Sequence, residues 1–415
     1  MPTLLRILSA LLPLLALAGC AATYQPPEPQ GLLRDGSFKL SPQKIPAAAE
    51  ILAPSPEMRA FVKDDPDFQQ LLRRRGERDA LIEALYSSTL LKLSYESSST
   101  RNATEAFAAR SGNCLSLVIM AAALAQELHL PVRFQSVFTE EGWSRSGGIN
   151  FVAGHVNLTL GAARRNAGNT MSLIEPDQLV IDFVQPDALR GYRVMEIDKN
   201  TIIAMYYNNR AAETLETGDV DGAYWWSRAA VLQESQYLPG FNTLAVIYRR
   251  HGDAGAAEAV LREVLRREPA NVEALSNLIL VMRDQQRLAE ADQIQARLVE
   301  VQPYPPFKFF DLGIEAMKAG EYGKARELFK REIARSAYYH EFHFWLALAD
   351  YALGDPQEAG RQLALAVEYS PTRKTHDLYA AKLAWLELHD KPKGKPKDKP
   401  YVIPALPRGM LGANF

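Results

Sequence analysis

Residues 238–271 read LPGFNTLAVIYRRHGDAGAAEAVLREVLRREPAN, and their pattern decides the fold of the C-terminal half of the chain. Apolar residues recur at helical spacing on both sides of Gly252, which predicts two amphipathic helices joined by a tight turn. Ala257 is small enough to let these helices pack closely, and Pro269 closes the segment. One such pair cannot bury its apolar faces alone, so the pattern predicts further pairs stacked beside it.

The same pattern recurs at an interval of 34 residues, marked by Ala223, Ala257, Ala291, Ala325 and Ala359. Glycine, or Gln286 in the third copy, stands five residues before each alanine. This period resembles the tetratricopeptide repeat, which implies an all-α solenoid over residues 204–389. We assign five repeats and a capping helix, the repeats being 204–237, 238–271, 272–305, 306–339 and 340–373. The first copy is degenerate, because Arg210 and Ser227 occupy positions that are usually apolar.

Stacked repeats of this family leave a concave groove, which the resemblance implies would bind a protein or peptide segment. The aromatic candidates to line it are Tyr207, Trp226, Tyr339 and Trp345, with Tyr206, Trp225, Tyr338 and Phe342 beside them. The alternative is that these aromatics form the core between repeats. His340 and His343 lack an obvious third ligand, so we interpret them as a surface pair and expect no metal.

Composition limits the classes of function. The chain has 415 residues, a prior for two or three domains, and 47% of them are hydrophobic, which excludes a wholly disordered chain. Its 47 basic and 49 acidic residues argue against nucleic acid as a partner. Two cysteines cannot build a disulfide scaffold.

The first twenty residues, MPTLLRILSALLPLLALAGC, predict a signal peptide. The apolar stretch from Ile7 to Ala18 would span about 18 Å as a helix, where a bilayer core needs about 30 Å. Its end resembles the lipobox of bacterial lipoproteins, which implies removal of residues 1–19 and lipid on Cys20. Ala21 then implies the outer membrane, with the protein facing the periplasm. The alternative is an ordinary cleaved signal with a chance cysteine.

The composition of two segments predicts little structure of their own. Residues 20–57 are rich in Pro, Ala and Gln, and we expect a flexible tether between membrane and protein. Residues 390–415 are rich in Lys and Pro, and we expect a disordered tail.

A helix is predicted between Gly112 and Pro131, and Cys114 lies in its first turn. Unpaired amides and the helix dipole at that end favour an anion and should lower the pKa of the thiol. A thiolate at neutral pH is the form that nucleophilic catalysis requires. The alternative is a buried structural cysteine.

Two strand-like runs follow this helix. The run INFVAGHVNLTL, residues 149–160, alternates apolar and polar residues and holds His155. The run LVIDFV, residues 179–184, contains Asp182. A carboxylate within a strand needs a partner, and a histidine on a neighbouring strand would serve. Asp177 is a competing candidate for the same role.

This order of residues resembles the transglutaminase-like superfamily, whose fold is related to that of papain. The matching positions are Thr104, Glu105, Ala106, Arg110, Gly112, Cys114, residues 128–133, His155, Val156 and Asp182. The resemblance implies an α+β domain over residues 58–200, in which Cys114 is the nucleophile, His155 the base and Asp182 the orienting group, without a cofactor. It departs from the family pattern at Asn157 and Phe183, where an aromatic and a small residue are usual. The backbone amide of Cys114 is our candidate oxyanion donor.

These patterns together predict a lipid-anchored envelope cysteine hydrolase, a peptidase or amidase in preference to a transamidase, whose repeat groove recruits a protein or peptide substrate. The first alternative is a catalytically inactive outer-membrane scaffold that binds partners through its repeats. The second is an enzyme of the same triad acting on cell-wall peptide or within an exopolysaccharide machine.

Overall fold

The structure is a computed structural model that describes residues 29–41, 44–96, 99–138, 143–146, 149–152, 155–161, 179–183, 193–304, 307–370 and 373–389. The chain divides into two units, residues 1–33 and 34–415. Of the first unit the structure describes a short 3-10 helix, Pro29–Leu32. The predicted signal peptide 1–19, Cys20 and the tail 390–415 lie outside the described residues. Within those described, no helix is both long enough and apolar enough to cross a bilayer.

The N-terminal part of the second unit mixes helices and strands. Its helices are α1 (Ala48–Ile51), α2 (Pro56–Asp64), α3 (Pro66–Arg75), α4 (Glu77–Tyr86), α5 (Ala103–Ala109) and α6 (Cys114–Glu127). Its strands are β1 (Ser94–Tyr95), β2 (Ser111–Gly112), β3 (Val132–Phe138), β4 (Trp143–Ser146), β5 (Ile149–Val152), β6 (His155–Leu160), β7 (Leu179–Ile181) and β8 (Arg193–Ile197). Four strands form an antiparallel sheet in the order β7-β6-β3-β8. Strands β1 and β2 pair in parallel, and β4 and β5 form a hairpin.

Helix α6 is the centre of this part. Every residue from Leu115 to Ala125 is buried, because the helix contacts α2, α4, α5, β3, β6 and the first helix of the repeats. An apolar sequence on all sides is what such an enclosed helix requires. Cys114, the first residue of α6, is therefore held on a rigid element.

Eleven helices follow and form the C-terminal half. They are α7 (Lys199–Glu216), α8 (Val220–Gln233), α9 (Leu238–His251), α10 (Ala254–Arg267), α11 (Val272–Asp284), α12 (Leu288–Val301), α13 (Lys308–Lys318), α14 (Tyr322–Ile333), α15 (His340–Ala352), α16 (Pro356–Glu368) and α17 (Arg373–His389). The two helices of each predicted repeat pack against each other. The five alanines of the period are all at most 1% exposed, as close packing of each pair requires.

The turns within the helix pairs explain the recurring glycine. The residues at this place adopt left-handed φ angles, namely Gly218 (88°), Gly252 (93°), Gln286 (58°), Gly320 (76°) and Gly354 (82°). Glycine takes this conformation without a steric penalty from Cβ. The third turn keeps the same geometry with Gln286, at a backbone cost that the packed repeats must offset.

Residues 34–57 differ from the predicted flexible tether. Phe38 is 7% exposed, and its ring stacks on that of Tyr224 with centroids 3.9 Å apart. Trp225 Nε1 donates to the carbonyl of Lys39 at 2.7 Å. Ile51 is fully buried, so the packed structure begins before residue 58. The Pro- and Ala-rich composition predicted a linker, but the packing of Phe38 on Tyr224 holds the segment against the repeats.

Candidate catalytic site

The segment before α6 positions Cys114. The Asn113 side chain caps the helix, since its Oδ1 accepts from the backbone amide of Ser116 at 2.9 Å. A Cβ on Gly112 would lie 2.5 Å from Cβ of Ser116, so only glycine fits there. Cys114 itself is partly exposed, whereas the helix behind it is buried. The thiol thus stands at the accessible end of an otherwise enclosed helix.

His155 and Asp182 form a close pair. His155 begins β6 and is 8% exposed, and Asp182 directly follows β7, the strand paired with β6. His155 Nε2 lies 2.8 Å from Asp182 Oδ1 and 2.9 Å from Oδ2. His155 also interacts with the Cys114 side chain, and this interaction favours the charged form of the ring. Because Nε2 faces the carboxylate, Nδ1 is the ring nitrogen left for the thiol.

The charges of this site favour a protonated imidazole. Burial opposes the charged form of His155, but the hydrogen bond to Asp182 and the interactions with Cys114 outweigh it and raise its pKa to about 9. An imidazolium at neutral pH would stabilise a thiolate beside it and hold a proton ready for a leaving group.

Two side chains that sequence reasoning did not assign hold Asp182 in place. The Tyr86 hydroxyl donates to the backbone carbonyl of Asp182 at 2.7 Å and accepts from its amide at 3.0 Å. Asn157 Nδ2 donates to Asp182 Oδ2 at 3.0 Å. The sequence contained a signal for Asn157, which shares a strand face with His155, but none for Tyr86, which is 96 residues distant from its partner.

Tyr95 is a neighbour of the Cys114 thiol. It pairs in β1 with Gly112 of β2, two residues before Cys114. Burial and the negative charge of the Cys114 thiolate both raise the pKa of the Tyr95 hydroxyl. Tyr95 therefore stays protonated at neutral pH and is available as a hydrogen-bond donor near the site.

The first repeat helix supports the segment that holds Cys114. Asn113 Nδ2 donates to Thr100 Oγ1 at 2.8 Å, and Asn209 of α7 donates to the same oxygen at 3.3 Å. The amide of Thr100 donates to Glu213 Oε1, also on α7, at 2.7 Å. Thr100 is 1% exposed, so these bonds are shielded from water. The boundary predicted between the two domains thus lies across a shared hydrogen-bond network.

Two of the four predicted groove aromatics are core residues. Tyr207 is 4% exposed and Trp226 is 3% exposed, and their rings lie 6.1 Å apart. The Tyr207 hydroxyl donates to the carbonyl of Pro46 at 2.7 Å. Tyr339 and Trp345 are half-buried against the cluster around Phe307 and Phe342. A large ring buries more apolar area between two helices than on the wall of an open groove, and this burial favours the core position.

The predicted surface pair of histidines is also wrong. His343 is 4% exposed, and its ring nitrogens bond to Gln362 Oε1 and to the carbonyl of Ala337, each at 2.7 Å. Burial lowers the pKa of His340 to about 4, and the neighbouring His343 acts in the same direction. Asp177, the competing third member of the triad, lies outside the described residues. The Cys114 amide as oxyanion donor stays a prediction.

Comparison with known proteins identifies the C-terminal half. Residues 242–305 and 310–373 match the tetratricopeptide repeat family model. No curated protein matches the chain. Similar solved structures include the tetratricopeptide repeat protein TTC0263 of Thermus thermophilus, at 19% identity over 45% of this chain and 99% of that one, with a TM-score of 0.31.

Two further solved structures resemble the same half. One is pilF of Pseudomonas aeruginosa, at 18% identity over 46% of this chain and 96% of that one, with a TM-score of 0.27. The other is MamA of Desulfovibrio magneticus RS-1, at 16% identity over 41% of this chain and 96% of that one, with a TM-score of 0.24. The family match confirms repeats over residues 242–305 and 310–373: the C-terminal half of this chain contains tetratricopeptide repeats.

Proposed function

We propose that the protein is a cysteine amide hydrolase whose tetratricopeptide repeats bind a protein or peptide partner. The observation that carries the catalytic half is the hydrogen-bonded pair of His155 and Asp182, which interacts with Cys114 at the accessible end of α6. The repeats support the binding half, because arrays of this kind commonly bind protein segments.

The chemistry follows from the three side chains. The Cys114 thiolate attacks the carbonyl carbon of an amide, and a C–S bond forms. The C–N bond breaks as the imidazolium of His155 gives its proton to the departing amine. Water, deprotonated by the now neutral imidazole, then attacks the thioester, releases the acid and restores the thiol. Asp182 keeps the ring oriented and stabilises its charge throughout.

The topology supports an assignment of the α+β part to the transglutaminase-like superfamily. A cysteine opens the buried helix α6, a histidine begins β6 and an aspartate follows β7, in the order that this superfamily uses. Hydrolysis is preferred over transamidation because water is abundant and no site for an amine donor is recognisable among the described residues.

A specific observation also favours a second candidate, a scaffold without catalysis. The repeats are the part of the chain that matches a known family, and binding through repeats needs no chemistry. In that function the groups around Cys114 would be vestigial.

Alkylation of Cys114 by iodoacetamide as a function of pH separates the two candidates. In a chain that starts at residue 21, a hydrolase predicts an inflection well below the free-thiol pKa of about 8.5. His155→Ala should abolish the inflection, while His376→Ala, at an exposed position on α17, should leave it unchanged.

Cleavage of peptide mixtures, followed by mass spectrometry, gives the second measurement. Cleavage that disappears in Cys114→Ala supports the hydrolase. A thiol that reacts only after unfolding, together with absent cleavage, would establish the scaffold instead.

We further propose that the protein is a lipoprotein of the outer membrane that faces the periplasm and is held there by lipid on Cys20. The sequence Leu17-Ala18-Gly19-Cys20 after an apolar run supports this. Replacement of Cys20 by Ser should release the protein from the membrane fraction. Unchanged fractionation of that variant would refute the anchor.

A further inference from the structure

A cavity of about 290 Å³ is lined in part by neighbours of the candidate catalytic residues, Leu117 one turn after Cys114 and Phe183 next to Asp182. Its lining combines the apolar and aromatic side chains of Leu85, Tyr86, Leu93, Tyr95, Leu117 and Phe183 with the polar side chains of Ser87, Ser88, Lys92 and Ser94. The volume is at the lower end of the range of ligand pockets, about 300 Å³. It matches one large side chain rather than a whole cofactor.

The walls of this cavity belong to the same elements as the triad. Leu117 lies three residues after Cys114, on the same face of α6. Tyr95 is paired with Gly112, next to the loop that carries the thiol. On the opposite side, Tyr86 holds the backbone of Asp182, and the rings of Tyr86 and Phe183 are 6.0 Å apart. A group bound in the cavity would therefore lie beside the reacting sulfur.

The loop of residues 87–92 forms one rim and is fixed by hydrogen bonds. The Ser87 hydroxyl accepts from the amides of Thr89 and Leu90 at 3.0 and 3.1 Å. Arg110 Nη1 donates to the carbonyls of Leu90 and Leu91 at 2.8 and 2.9 Å. The pocket is thus largely formed before a ligand arrives, which lowers the entropic cost of binding.

Lys92 gives the rim a positive charge. It is the single charged residue among the described residues that line the cavity, and its side chain is exposed. Among the described residues no carboxylate pairs with its ammonium group. Its backbone has a left-handed φ of 50°, a conformation that costs a residue with a side chain some free energy. The rim is therefore complementary to a carboxylate on a bound peptide.

The orientation of the site assigns the pocket to one side of the scissile bond. His155 must deliver a proton to the leaving amine, and no residue of its strand, β6, lines the cavity. The part of the substrate that stays bonded to sulfur as the acyl group is the part that faces Leu117 and Tyr95.

We propose that this pocket binds the large apolar or aromatic side chain of the residue whose carbonyl is attacked, in a peptide that carries an acidic residue next to it for Lys92. This inference rests on the proposed hydrolase function and specifies its substrate class. It selects acidic-aromatic peptide segments and excludes small side chains such as alanine at the attacked residue.

Irreversible peptidyl acyloxymethyl ketones test the pocket on the full-length protein, because Cys114 sulfur forms a thioether with the methylene carbon and displaces a carboxylate. We compare acetyl-Glu-Phe, acetyl-Glu-Ala and acetyl-Lys-Phe derivatives by the second-order rate of labelling at Cys114. Burial of the phenyl group should favour Phe over Ala about 10- to 100-fold. The exposed ion pair should favour Glu over Lys by about 2- to 5-fold.

Two variants test the residues. Lys92→Glu should invert the preference between the Glu and Lys probes, and Lys63→Glu, an exposed lysine on α2, should not. Ser88→Trp, at an exposed position of the lining, should fill the pocket and remove the preference for Phe over Ala.

Equal labelling by the Phe and Ala probes, with a reactive thiol, would overturn the pocket and leave the hydrolase standing. Labelling by no ketone, while iodoacetamide still reacts without a low-pH inflection, would overturn both.

Discussion

Replacement of Asp182 by Asn removes the charge that holds His155 protonated while keeping the shape of the side chain. Both side chains are nearly buried, at 9% exposed for His155 and 12% for Asp182, so water screens their interaction little. The pKa of His155 is about 9, against 6.5 for an ordinary histidine. That difference corresponds to about 3 kcal/mol. Burial acts in the opposite direction, whereas Cys114 still favours the imidazolium, so without the carboxylate the pKa should fall towards the ordinary value of 6.5.

The protonated fraction of His155 determines how readily the site can protonate a leaving amine. At pH 7.5 a pKa of about 9 leaves His155 about 97% protonated, and a pKa of 6.5 leaves it about 9% protonated. The loss of imidazolium alone should lower kcat/KM about tenfold in Asp182→Asn. Misorientation of the ring adds to that loss.

The ratio of alkylation rates with iodoacetate and iodoacetamide reports the imidazolium, since only the first reagent is an anion. In the wild type this ratio should fall as the pH rises through about 9. In Asp182→Asn the fall should move from about 9 towards pH 6.5. Asp177→Asn is the matched control and should resemble the wild type. Identical profiles for the wild type and Asp182→Asn, or a shift caused by Asp177→Asn alone, would refute the assignment of Asp182.

The free energy of unfolding should also depend on the protonation of His155. The pKa of His155 is raised from 6.5 in the unfolded chain to about 9 in the folded one, so its contribution is complete below pH 6.5 and is lost as the pH rises through 9. In urea unfolding, Asp182→Asn should be less stable than the wild type by up to about 3 kcal/mol at pH 6. The two should converge above pH 9. A constant difference from pH 6 to 10 would contradict this linkage.

Three further changes test the supports of the site. Tyr86→Phe removes two exposed hydrogen bonds of about 0.5–1 kcal/mol each. The variant should keep its fold, and its kcat/KM should be about 5- to 30-fold lower than that of the wild type. An unchanged kcat/KM would show that Tyr86 does not position Asp182. Phe38→Ala should lower the free energy of unfolding by about 3 kcal/mol in urea titrations, whereas Leu40→Ala, at 83% exposed, should have no effect. Thr100→Val leaves the side-chain amide of Asn113 without its hydrogen-bond acceptor, which should lower the free energy of unfolding by about 1–3 kcal/mol. Amide hydrogen exchange at the start of α6 should become faster, and alkylation of Cys114 should become slower.

Much of the architecture was predictable because its determinants are local. The interval of 34 residues predicted the helix pairs, and the family match confirms the repeats. Gly112, Pro131 and the apolar run between them predicted α6, since a periodic face and helix boundaries depend on residues close together in the sequence. The alternation over residues 149–160 predicted one strand for the same reason, and the structure has two strands there, β5 and β6.

What only the tertiary structure decided are the contacts between distant parts of the chain. The sequence by itself determined which residue types stand at the start of a helix or on one strand face, and so pointed to Cys114, His155 and Asp182. Only the tertiary structure shows that Tyr86 is hydrogen-bonded to Asp182, 96 residues away in the sequence, and that Thr100 is hydrogen-bonded to Glu213, 113 residues away. The periodicity of a helix or strand can be recognised from neighbouring residues. The partner of a hydroxyl or a carboxylate cannot, because the two groups meet only when distant elements pack together and exclude water.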